Sequence, residues 1–145
     1  MKVLESYINR VKGISNILFL GVLAPYLENV SSFQMVERRI TDIFVEGDLS
    51  DQKAISKCIP DLMSFFKEPE LKVKNIFEEI GQMDEKKQVG QAFLFTGLLK
   101  GINASETMYY LEKVLDKDYP SKKRGDKVAR LWMLLAFISN FGRMV

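Results

Sequence analysis

The side chains in this sequence that could do chemistry are carboxylates, lysines, arginines and one cysteine, for the 145 residues include no histidine. Without histidine there is no Ser-His or Cys-His nucleophile pair, no HExxH zinc site, and no imidazole base working near neutral pH. A lone cysteine cannot build an ordinary structural zinc site. The phosphate-cradling patterns GxxxxGK[ST] and GxGxxG are both missing. The carboxylates are not paired for catalysis either. Glu78 and Glu79 are neighbours and so point apart on a helix. Asp84 and Glu85 stand where a helix should begin, and negative charge is favoured there by the helix dipole. Asp48 and Asp51 lack the ligand spacing of a calcium loop. Cys58 shares a stripe with Ile55, Ile59 and Leu62 and reads as a small buried hydrophobe. We therefore expect no catalytic residue, no metal ligand and no cofactor.

What remains is chemistry of recognition. Lys122, Lys123, Arg124, Lys127 and Arg130 form a basic cluster in a chain whose net charge is only +2. Cations ahead of a helix oppose its dipole, so their placement suits an anionic partner. Residues 97–111, Gly97-Leu98-Leu99-Lys100-Gly101-Ile102-Asn103-Ala104-Ser105-Glu106-Thr107-Met108-Tyr109-Tyr110-Leu111, resemble a helix-turn-helix: a small residue, a turn glycine, a cap and a second helix. That resemblance implies DNA binding, with the loop at 122–130 gripping the backbone. Thr107 departs from the motif, which buries an aliphatic side chain there, and Glu106, Tyr109 and Glu112 would face the duplex.

The third set of candidates is apolar. From Val128 to Phe141 the sequence carries two stripes at helical spacing. Val128, Leu131, Leu135 and Ile138 form one, and Leu134, Phe137, Phe141 and Val145 the other. A helix apolar on two sides is either the centre of a bundle or takes cover from a partner. Trp132, Met133, Phe137 and Phe141 are the anchors expected for a protein partner, since aromatics and methionine are enriched in interface cores.

The elements that must position these residues are helical throughout. Leu4, Tyr7, Ile8, Val11, Ile14, Leu18 and Val22 predict a helix over 2–23, closed or kinked by Pro25. Ser31 reads as the cap of a second helix carrying Phe33, Val36, Ile40 and Phe44 and ended by Gly47. Ser50 or Asp51 caps a third, which Pro60 should kink or break. Pro69 opens a helix with Leu71, Val73, Ile76, Phe77 and Ile80. Asp84 caps a helix over 85–100, in which Gly90, Gly97 and Gly101 lower helix propensity and point to close backbone packing. Asn103 and Glu106 start the next, Tyr119-Pro120 ends it, and the basic loop leads into the last. No run shows the alternation of a strand.

Composition agrees with this reading. Hydrophobic residues make up 47% and charged residues 28%, as in a folded globular chain. A single cysteine excludes an intramolecular disulfide, and no stretch reaches the ~20 apolar residues of a membrane span. We read the chain as one all-α domain at 1–145, a bundle of six or seven helices with the apolar C-terminal helix at the centre or at an interface. The expected role is a non-catalytic, cytoplasmic interaction module: a small regulator, adaptor, inhibitor or immunity-type protein. The alternative is a DNA-binding regulator using 97–111 and 122–130. Homodimerisation through the first or last helix is compatible with both.

Overall fold

The computed structural model describes residues 30–120 and 126–142. The helix read over 2–23 lies outside them, as do Lys122, Lys123, Arg124 and Val145. The described residues form an all-α bundle of six α-helices with no strand. Helix α1 (Val30–Glu46) buries Val36, Ile40 and Phe44 completely, one residue per turn along a single stripe. It already contains Ser31, so Ser31 is a first-turn residue and not the cap that its spacing to Gln34 suggested. Gly47 ends α1, its amide donating to the Ile43 carbonyl at 2.8 Å.

Helix α2 (Leu49–Cys58) is capped two or three residues earlier than expected. Asp48, rather than Ser50 or Asp51, accepts from the Asp51 amide at 2.9 Å. At Pro60 the chain tightens into a 3-10 helix (Ile59–Phe65). Three residues per turn place Ile59, Leu62 and Phe65 on one face, and all three are buried. Cys58 at this junction is half-buried, not a core residue. Pro69 opens α3 (Pro69–Glu79) at its first position, where a missing N–H costs nothing. A single 3-10 turn (Ile80–Gln82) follows.

Helix α4 (Glu85–Ile102) is the axis of the bundle. Every residue from Ala92 to Leu99 is buried, because α1, α2, α3, the 3-10 helix over Ile59–Phe65, and the two later helices over Ala104–Leu115 and Lys127–Phe141 all pack on it. Its glycines allow this close approach. A Cβ on Gly90 would overlap the Phe44 carbonyl oxygen of α1, and one on Gly97 would stand 2.7 Å from the Ser56 carbonyl oxygen of α2. Of the two places the sequence allowed the apolar C-terminal helix, the centre of the bundle is taken by α4. The C-terminal helix is one of the elements laid against α4.

Helix α5 (Ala104–Leu115) follows α4 after one residue, Asn103, whose side chain accepts from the Glu106 amide at 2.8 Å. One device recurs at three helix starts. The cap is Asp48, Asp84 or Asn103, and the residue four further on reaches back to the end of the preceding helix. Gln52 donates to the Ile43 and Gly47 carbonyls, both at 3.1 Å. Gln88 donates to those of Ile80 and Met83, and the Thr107 hydroxyl to those of Leu99 and Asn103. Each junction thus satisfies carbonyls that helix ends leave without partners, which fixes the angle between successive helices. Beyond α5, the Tyr119 hydroxyl donates to the Phe77 carbonyl at 2.9 Å, and its ring stacks on that of Phe77 at 4.5 Å.

Candidate interaction surface

Helix α6 (Lys127–Phe141) turns one apolar face inward and a second outward. Ala129, Met133, Ala136, Phe137 and Phe141 face inward and are buried. This face packs along α4, and the Phe137 ring meets that of Phe95 edge-on at 6.0 Å. Asn140 completes this face with a buried polar cluster that joins three helices. Its amide donates to the Thr96 hydroxyl of α4 at 2.7 Å and lies 3.4 Å from the Ser56 hydroxyl of α2. Both hydroxyls also donate to carbonyls of their own helices. The cluster is satisfied internally and locks α6 in rotation and register.

The opposite side of α6 is different. Leu131, Leu135 and Ile138 are 59%, 51% and 61% exposed, and Val128 joins them at the N-terminal end. Surface helices ordinarily turn charged residues outward. From Leu131 to Ile138 there is no charged residue at all. Arg130 does not break the stripe, because its guanidinium is turned to the neighbouring helix end. Its Nε and Nη2 donate at 2.9 Å to the Val114 and Leu115 carbonyls, the last of α5. A cation there complements the negative end of the α5 dipole. Arg130 is thus a helix cap in this fold, and Lys127, the other member of the basic cluster among the described residues, is exposed.

The four apolar anchors expected from the sequence are divided by this geometry. Met133, Phe137 and Phe141 are core residues of the chain itself, so they cannot be the first contacts of a partner. Trp132 is half-buried at the edge of the stripe. The accessible apolar surface is aliphatic instead. Size pointed to the aromatics, but large rings fill the space against α4. The informative signal was the pair Ala129 and Ala136, since small residues mark the side on which a helix lies close to its neighbour.

The helix-turn-helix resemblance at 97–111 resolves into two helices joined by a single residue, where that motif has a turn of three or four. Thr107 is buried at the junction by its hydroxyl bonds, not as an aliphatic plug. The exposed face of α5 presents Glu106, Tyr109, Glu112 and Lys113, and Lys113 is drawn over the Tyr109 ring, 5.6 Å from its centroid. Tyr110 beneath them has its pKa raised, first by burial and then by Glu106, Tyr109 and Glu78. Among the described residues no group of three acidic, cysteine or histidine side chains could hold a metal, and no helix is long and apolar enough to cross a membrane.

The chain matches no protein-family model, no curated protein and no solved structure.

Proposed function

We propose that this protein is a non-catalytic interaction module whose binding surface is the outer face of α6. One observation carries the proposal: three aliphatic side chains, each more than half exposed, on a helical stretch without charge. Fully burying one Leu or Ile gains about 1.5–3 kcal/mol. Covering the exposed halves of Leu131, Leu135 and Ile138 would therefore contribute roughly 2–5 kcal/mol to a complex. Leaving them bare gives the isolated chain nothing. Apolar surface concentrated along one line marks an association site, whereas scattered exposed residues do not. The acidic residues on α5 weigh against the alternative of duplex binding through that helix.

The test is a photo-reactive amino acid at Leu135 of the full chain, irradiated in an extract of the source cells, with the same residue at Glu112 as control. An adduct to another polypeptide at Leu135 but not at Glu112 is expected. Equal labelling at the two sites, or none at Leu135, would remove the proposal. Titration of mixed-sequence duplex DNA at near-physiological salt settles the alternative, since binding there would move the site to the basic loop.

A further inference from the structure

We infer that the occupant of the outer face of α6 is a second copy of the same helix, paired antiparallel. This rests on the reading of that face as a binding surface and names its partner. Val128, Leu131, Leu135 and Ile138 follow one another at intervals of three, four and three, so the stripe is symmetric about Met133. A two-fold interface requires a surface that matches itself residue for residue. Antiparallel pairing about Met133 sets Leu131 against Leu135 of the other copy and Val128 against Ile138. The matched length is about 15 Å, or ten residues at ~1.5 Å each.

Charge supports the same arrangement. The face offers no charged group between Leu131 and Ile138 that would select an unlike partner. Lys127, exposed in the first turn of α6, opposes the dipole of its own helix. In the antiparallel pair it falls opposite Ser139, in the last turn of the other copy, where the carbonyl end favours a cation. The pairing thus puts to use a charge that is unfavourable within one chain. Two three-turn stripes bury less than the roughly 1,200–2,000 Å² of a standard interface, so the dimer is weak and reversible, with dissociation in the micromolar range or above.

Sedimentation equilibrium of the full chain from about 5 to 500 µM tests this. The weight-average mass should rise from the 16.7 kDa of one chain toward twice that value. Leu135→Glu should weaken association at least tenfold while the unfolding midpoint holds. Lys127→Glu separates pairing from folding. It places an acid at the start of its own helix, so the monomer should become slightly more stable, while the dimer weakens several-fold. A dimer that survives Leu135→Glu, or that is unaffected by Lys127→Glu, overturns the inference. So does a chain that stays monomeric at every concentration. In that case a Leu135 adduct to a different polypeptide, or capture by anionic phospholipid vesicles, identifies the occupant. Only the first of these leaves the interaction reading in place.

Discussion

Replacing Gly90 by alanine tests whether α4 is the axis of the bundle. The added methyl would overlap the carbonyl oxygen and carbon of Phe44 and approach the Gln52 amide at 2.9 Å. The carbonyl belongs to the backbone of α1, so no side-chain rotation relieves the clash, and α1 and α4 must move apart. Overpacking of this kind costs about 1–3 kcal/mol. Alanine returns about 0.8–1.0 kcal/mol of helix propensity over glycine. The Gly90→Ala protein should therefore be less stable by up to ~2 kcal/mol, a loss of several degrees in Tm for a domain of this size. Gly101→Ala is the matched control on the same helix. The atoms nearest its methyl would all belong to the Met63 side chain, with Sδ at 2.5 Å. That side chain is flexible and half-buried, so the propensity term should prevail, with no loss of stability or a gain of a few tenths of a kcal/mol. Urea unfolding followed by far-UV circular dichroism, with unchanged slope, gives both values. Equal stability of the two variants would refute the close approach of α1 to α4.

Three further outcomes follow from the geometry. Asn140→Ala leaves the Thr96 and Ser56 hydroxyls without their partner on α6 and opens space between the helices, so a loss of about 1–3 kcal/mol is expected in the same urea assay. Arg130→Gln removes the cation from the α5 carbonyls and should cost about 0.5–1 kcal/mol, read by the same unfolding, with amide exchange at Lys113–Asp116 quickened. Burial raises the Tyr119 pKa above the usual value of about 10. Its neutral form is thus favoured by folding, and the stability it contributes is complete below pH ~10 and lost as pH rises beyond. Tyr119→Phe should lower stability by about 1 kcal/mol at neutral pH, through the lost bond to Phe77. It should also flatten the alkaline loss seen in urea midpoints between pH 9 and 11.

Local features were legible in the sequence where the cause is local. Pro69, Asp84 and Asn103 mark helix starts because a first-turn proline or a capping oxygen acts within four residues. The change of helix type around Pro60 follows from its missing amide. Ser31 and Asp48 were harder, since several polar residues near a helix start can each supply the cap, and the choice depends on where the preceding chain enters. The identity of the central helix was not legible from apolar content, which is higher in α6 than in the central α4. It is decided by the glycines of α4, which admit neighbours from several directions. The stripe Val128, Leu131, Leu135 and Ile138 was plain from spacing, but that it faces outward depends on how α6 meets α4. The role of Arg130 as a cap depends on carbonyls 15 and 16 residues away, a proximity that no local pattern encodes.

The claim that the outer stripe of α6 is kept apolar for association, and not for folding, is tested most directly by one unfolding experiment. The double variant Leu131→Glu/Leu135→Glu is compared with the native sequence at low micromolar concentration. Glutamate and leucine have similar helix propensity, and a substitution on an exposed surface changes stability by no more than about 0.5 kcal/mol. Unfolding midpoints that agree within that margin are the predicted result. A loss of 2 kcal/mol or more, as expected for charge forced into a core, would contradict the claim, because the stripe would then be covered within the chain itself.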